Sequence, residues 1–298
     1  MPERMLLSKK VNHKQREVGK AIKFGISFLK KRGISEPRLN AERLLAFVTE
    51  KKREVLYIDE GELLKPWQWK RYKYLLQRRG KFIPLQYLLG SVNFYGFDFV
   101  VDKRVLIPRP ETEILVELAL VKLKQFKGKT KILDLGTGSG NIALSLAKLT
   151  QAEIYATDIS ERALSVAKKN SQRLDLEKRV HFLRGDCFKP LKDEKNIFRM
   201  ICSSPPYIPR EQLSTLSEEI KFEPQIALDG GEDGLDFFRR IIKKAHLFLA
   251  RDGYLVLEIG DNQSEAIRKI VKDNNFLSLE EIVSDYQGIE RIAIIKHG

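Results

Sequence analysis

The chain has 298 residues, with 54 Lys and Arg against 40 Asp and Glu, a formal charge of +14. Its 43% hydrophobic and 32% charged residues are those of an ordinary folded protein, long enough for two domains with real cores, and no run approaches the roughly 18 apolar residues of a membrane-spanning helix. Cys187 and Cys202 lack a CxxC spacing and His13, His181, His246 and His297 are scattered, so neither a disulfide framework nor a zinc or His-based metal centre is expected.

The excess charge sits at the start. Residues 1–100 carry 22 Lys and Arg against 10 Asp and Glu, whereas residues 101–298 carry 32 against 30. A basic domain of this kind faces nucleic acid or an acidic protein; a solvated, Lys- and Glu-rich surface is the plainer alternative. The N-terminus is basic but has no continuous apolar run or small-residue cleavage site, which argues against a secretory signal. Val18, Ile22, Ile26 and Leu29 follow helical spacing into the domain, so this stretch reads as structure.

Residues from about 10 to 80 read as helical. Leu39, Leu44, Leu45, Phe47 and Val48 mark one amphipathic set, with Asn40 as its expected cap. Trp67, Trp69, Tyr72, Tyr74 and Leu75 mark another, with Pro66 near its start and Gly80 as its C-cap. From Pro84 the vocabulary changes. Tyr87–Gly90 and Asn93–Val101 are aromatic, branched and punctuated by glycine, which predicts strands and a hairpin. Pro108–Glu113 then marks a junction before a helix rich in Leu and Val.

The remainder alternates. Strands are predicted over Lys131–Leu135, Glu153–Thr157, Val180–Leu183, Met200–Ser203 and Tyr254–Ile259, and helices over Asn141–Leu149, Glu161–Gln172, Phe237–Leu249 and Ser264–Asn274. Two final strands, around Leu279–Ser284 and Arg291–Lys296, have no helix between them and predict an antiparallel hairpin. Such alternation predicts an α/β fold, a mostly parallel sheet covered on both faces.

The sharpest motif, Asp134-Leu135-Gly136-Thr137-Gly138-Ser139-Gly140, lies between the first of these strands and its helix. Alternate glycines let the backbone turn tightly and approach a ligand, and the helix N-terminus points N–H groups at it. Asp158 ends the next strand, where doubly wound folds place a carboxylate on ribose hydroxyls. The spacing is G-x-G-x-G and no Lys-Ser/Thr pair follows, which removes a P-loop. The stretch resembles the S-adenosylmethionine loop of Rossmann-like class I methyltransferases. In that class an acidic residue near adenine ends the third strand, and Asp186 in Arg184-Gly185-Asp186-Cys187-Phe188 fits.

Cys202-Ser203-Ser204-Pro205-Pro206-Tyr207 ends the fourth strand, so it faces the same ligand. Two prolines stiffen the loop and lack N–H donors. A polar side chain before them and an aromatic ring after them form a clamp suited to a planar NH2 group. An amide or exocyclic nitrogen is a poor nucleophile because its lone pair is delocalised. Acceptors on its N–H groups and in-line placement before the methyl donor lower the barrier without a covalent enzyme nucleophile or a metal.

Over nearly its whole length the chain resembles the HemK/PrmC family of protein-(glutamine-N5) methyltransferases, which modify the Gly-Gly-Gln glutamine of peptide-chain release factors. The matching segments are Arg78-Arg79, Pro84–Tyr87, Phe94-Tyr95-Gly96, Val105–Glu113, the glycine loop, Pro205-Pro206-Tyr207, Glu223-Pro224, Ala227-Leu228, Gly230-Gly231, Asp233–Leu235 and Leu257–Gly260. The resemblance implies a small N-terminal helical substrate-docking domain over 1–90, a hairpin linker over 91–110 and a methyltransferase domain over 111–298. It implies S-adenosylmethionine as cofactor, held by Asp134, Gly136, Thr137, Gly138, Ser139, Gly140, Asp158, Asp186, Cys187 and Ser204. Ser204, Pro205, Pro206 and Tyr207 would orient the amide; Phe94 and Phe97 either wall the pocket or belong to the core. The expected partner is a release factor, near ribosomal RNA and met by a cytoplasmic monomer.

Two departures stand out. The family's clamp begins with Asn where this chain has Ser204, and Cys187 replaces an aromatic residue beside the adenine-side acid. Ser-Pro-Pro-Tyr also resembles DNA cytosine-N4 methyltransferases. A nucleic-acid exocyclic-amine methyltransferase is therefore one alternative, and a weakened ribosome- or RNA-binding relative another.

Overall fold

The computed structural model describes residues 16–191 and 193–298; His13, the basic N-terminus and the expected helical residues 10–15 lie outside the described residues. The chain forms two compact units, Met1–Leu89 and Gly90–Gly298.

The first unit contains α1 (Val18–Lys30), α2 (Pro37–Thr49), α3 (Val55–Ile58), α4 (Pro66–Arg79) and α5 (Leu85–Leu89). Their apolar faces close on a core that includes Ile22, Leu29, Leu44, Leu45, Trp69, Tyr72 and Leu76. Asn40 is not the cap of α2. Pro37 opens that helix, where a missing N–H costs nothing. Asn40 instead reaches back from within the helix to the Ser35 and Glu36 carbonyls, and its Oδ1 accepts a 2.6 Å bond from buried Arg79. Gly80 does end α4, with right-handed backbone (φ −65°). Tyr87–Leu89, expected as strand, is helical instead: Leu85, Leu88 and Leu89 fall at i, i+3 and i+4 and pack on the same core.

The second unit opens with a hairpin of β1 (Ser91–Phe94) and β2 (Phe97–Val100), turned by Tyr95 and Gly96, both at positive φ. Expected as a linker, it is packed into this unit. Phe94 and Phe99 stack edge-on at 6.0 Å within the core, and Asn170 bonds both the N–H and the carbonyl of Val100. Phe94 thus resolves as a core residue, and Phe97 is half-buried against the same core.

After the hairpin come α6 (Glu111–Leu123), β3 (Lys131–Leu135), α7 (Asn141–Leu149), β4 (Glu153–Asp158), α8 (Glu161–Arg173), β5 (Val180–Arg184) and β6 (Phe198–Ser203). They are followed by α9 (Asp236–Ala245), β7 (Leu249–Glu258), α10 (Ser264–Lys272), β8 (Leu277–Ser284) and β9 (Glu290–His297). The helix expected through Leu249 stops at Ala245, because Leu249 already pairs with Phe198 as strand.

One seven-stranded sheet has the order β5-β4-β3-β6-β7-β9-β8, parallel except for the antiparallel β7–β9 and β8–β9 pairs. Strand residues alternate between two cores. Ile132, Ile154, Met200 and Val256 pack with α6 and α7; Leu133, Ile201, Leu255 and Leu257 pack with α9 and α10. The chain order reverses between β3 and β6, so a crevice opens beyond their carboxyl ends. Ser203 Oγ donates to the Leu135 carbonyl at 2.7 Å and ties the two strand ends together there. Among the described residues no helix is long and apolar enough to cross a membrane.

Candidate active site

The crevice beyond β3, β4 and β6 is lined by Leu135, Gly136, Gly138, Asp158, Ile159, Asp186, Cys187, Ser203, Ser204, Pro205 and Pro206. Val105 and Leu106 from the segment before α6, Pro224 to Ala227, and Phe237, Arg240 and Ile241 of α9 complete the wall, with Ile226 standing 54% exposed at the surface.

The glycine turn is built from below. Asp134 is fully buried, and its Oδ2 accepts from Thr137 Oγ1 at 2.6 Å and from the Ala143 N–H of α7 at 3.2 Å. Burial pushes its carboxyl up to about 7, against the pull of those two bonds. Gly140 stands at φ +84, and a Cβ there would meet Leu144 Cδ1 at 2.9 Å and Ala167 at 3.3 Å. Only glycine lets α7 start this close to its neighbours. Asp134, Thr137, Ser139 and Gly140 therefore shape the turn from beneath, while Gly136 and Gly138 face the crevice.

Asp158 closes the turn from the next strand. Its two oxygens accept from the Gly138 and Ser160 N–H groups at 2.9 and 2.8 Å. Burial raises its carboxyl, and the two amide bonds oppose that shift. Each oxygen keeps a second lone pair for a hydroxyl donor. Asp186 stands beyond β5, where Gly185 N–H bonds the Asp158 carbonyl. Its burial works upward, but Lys189 and Arg240 pair with it and hold the carboxyl down at about 2. Cys187 lines the crevice beside it at φ +50, with its thiol pushed by burial up to about 11.

On the reaction side, Ser204, Pro205 and Pro206 reach the crevice and Tyr207 lies behind them. The Tyr207 carbonyl accepts from Gln263 Nε2 at 2.9 Å, and its hydroxyl donates to Glu258 at 3.4 Å. Burial pushes the Tyr207 phenol well above its ordinary value. Glu258, the last residue of β7, is 2% exposed. It accepts from Thr112 Oγ1 at 2.6 Å. Burial raises its carboxyl, and the neighbouring hydroxyls only partly counter this.

A second buried carboxylate braces the wall. Glu223 accepts from the Ile107 N–H at 3.0 Å and from Arg109 at 2.7 Å, joining the Ile-Pro-Arg-Pro-Glu segment to the loop that carries Pro224 and Ile226. Sequence reading assigned no role to Glu258 or Glu223. A signal existed for the first: it is the lone charge in the apolar run Leu255–Ile259.

The sheet order, the glycine turn after β3 and the acids at the ends of β4 and β5 together define a Rossmann-like class I methyltransferase domain. S-adenosylmethionine is the cofactor such a domain takes, and the residues fit it. A Cβ at Gly136 would meet nothing within 4 Å, so the turn offers open backbone, and Asp158 keeps acceptor capacity beside it. Gly136, Gly138, Asp158 and the surface around Asp186, Cys187 and Ile159 would hold it.

Residues 20–90 match the PrmC N-terminal domain, and residues 126–293 match a methyltransferase domain family. The chain is 42% identical over 260 residues to the release factor glutamine methyltransferase of Moorella thermoacetica, covering 87% of this chain and 91% of that one. It is 41% identical to that of Thermodesulfovibrio yellowstonii, over 86% of this chain and 91% of that one. Among solved structures, the human hMettl16 catalytic domain shares the fold, with a TM-score of 0.56, 15% identity and coverage of 85% and 92%. The chain belongs to the release factor glutamine methyltransferase family.

Proposed function

We propose that the chain transfers a methyl group from S-adenosylmethionine to the side-chain amide nitrogen of the Gly-Gly-Gln glutamine in a peptide-chain release factor. The observation that carries this reading is the Ser204–Tyr207 loop. Its Ser204, Pro205 and Pro206 form one wall with the glycine turn and Asp158, in a chain similar over most of its length to release factor glutamine methyltransferases.

The cofactor supplies an electrophilic methyl group on a sulfonium. The chain's own residues do the rest by positioning. The Ser204 hydroxyl oxygen and the Pro205 carbonyl accept hydrogen bonds from the amide N–H groups, which polarises the nitrogen and fixes its plane. Pro206 packs against that plane, and Tyr207 braces the loop from behind, held by its Gln263 and Glu258 contacts. Asp158 binds ribose hydroxyls. Asp186, already paired with Arg240 and Lys189, shapes the adenine side as part of an ionic cluster.

The basic first unit is the docking element for the protein substrate, working as part of a cytoplasmic monomer close to ribosomal RNA. Mass spectrometry of a release factor incubated with the chain and S-adenosylmethionine tests the reading. One added methyl group on the Gly-Gly-Gln glutamine is expected. Methyl transfer to nucleic acid alone, or to neither, overturns it.

A further inference from the structure

The crevice is short of one flat surface beside Asp186. Where the family carries an aromatic residue, this chain has Cys187, which lines the crevice with a small side chain. Phe237 and Arg240 of α9 line the same crevice. They stand three positions apart, so the helix puts them on one face. The Arg240 guanidinium carbon lies 5.2 Å from the centre of the Phe237 ring. The guanidinium is also ion-paired with one oxygen of Asp186, whose other oxygen lies 2.9 Å from Lys189.

We propose that Arg240, pinned between Asp186 and Phe237, is a cofactor-binding residue that gives the adenine ring the flat wall Cys187 does not provide. This rests on Asp186 marking the adenine side, as given above. A guanidinium is planar, weakly hydrated and stacks on aromatic faces, and adenine offers such a face. Holding a long side chain still has an entropic cost. The carboxylate and the ring meet that cost before the cofactor arrives, while 45% of the arginine side chain stays open.

The two residues divide the work. Each oxygen of Asp186 is engaged once, by Arg240 or by Lys189, and keeps a lone pair for an N–H on the edge of the base. Arg240 answers to the face of the base, which is the same whatever groups the edge carries. Its charge serves the pairing with Asp186, and its plane serves the cofactor. Lysine at this position would keep a point charge for the carboxylate and lose the plane.

The test is calorimetric binding of 5′-methylthioadenosine, which carries adenine and ribose without the amino-acid end, to the full chain. Arg240→Ala is expected to weaken binding about tenfold, and Arg240→Lys to recover only about a third of that factor. Full recovery by Lys would make charge alone the cause and overturn the proposal. With 5′-methylthioinosine, which has an oxygen in place of the exocyclic amine, Arg240→Ala should cost the same factor. A loss confined to the adenine compound would mean that Arg240 only orients Asp186, and overturns the proposal too.

A double-mutant cycle supplies the second measurement. Cys187→Phe puts a ring back beside the acid, and in that background Arg240→Ala is expected to cost about twofold or less. Equal losses in both backgrounds overturn the proposal. Failure of the adenine-side placement shows separately, as an Asp186→Ala variant that binds 5′-methylthioadenosine like the native chain. Weaker binding by Asp186→Ala with none lost in Arg240→Ala would overturn the role of Arg240 alone.

Discussion

Asp134 illustrates how a single buried carboxyl trades stability for a shaped turn. Its ordinary value is 3.8 and burial lifts it to about 7, while its Oδ1 has no hydrogen-bond partner among the described residues. Between those two values the folded chain holds a proton that the unfolded chain has released, so stability falls as pH rises from about 4 to 7 and is level above. Asp134→Asn keeps an acceptor for Thr137 and Ala143 but carries no charge. The apo variant should melt roughly 3–6 °C higher at pH 8 and lose most of the pH slope, read by calorimetry across pH 4–8. An unchanged slope would place the titration elsewhere. At this scale the sequence was informative where a residue belongs to a local pattern. Gly136, Gly138 and Asp158 sit at fixed offsets from a strand end, and the structure places all three at the crevice. Glu258 was silent because its meaning comes from Thr112 and Tyr207, residues far from it along the chain.

Elements were legible in proportion to how local their determinants are. The strands of the sheet and the final antiparallel pair follow from alternation and from the lack of an intervening helix. Tyr87–Leu89 misled because aromatic and branched residues favour strands, whereas Leu85, Leu88 and Leu89 had a helical face to bury. The Arg109–Glu223 pair could not be read at all, since its members lie 114 positions apart and only the fold brings them together. That pair yields a prediction at the level of the two loops it joins. Glu223 has a side chain only 2% exposed, against 31% for Arg109. Arg109→Ala leaves the carboxylate with the Ile107 N–H as its remaining bond from this segment, and should cost about 3 kcal/mol in urea unfolding. Arg109→Lys keeps a point charge without the planar fork and should recover part of the loss. If both variants unfold like the native chain, the two loops are held by other contacts.

For the whole molecule, the uneven charge takes on a narrower meaning. The excess that suggested nucleic acid lies almost entirely in the first hundred residues, while the crevice belongs to the near-neutral remainder. Raising ionic strength from 0.05 to 0.5 M, across which the screening length shrinks severalfold, should raise the KM for the release factor about tenfold and leave cofactor affinity within about twofold. Insensitivity of both would mark the basic residues as a solvated surface. The sheet order has a different consequence, for the moment of synthesis. β9 lies between β7 and β8, yet follows both in the chain. As the polypeptide emerges, β7, which ends in Glu258, therefore spends an interval with one ladder of N–H and C=O groups unanswered. Such an open edge recruits whatever strand arrives first, including one from a second nascent chain. Vectorial folding thus leaves the second edge of β7 to be covered last, and chains arrested before residue 290 should associate through β7 more than full-length chains do.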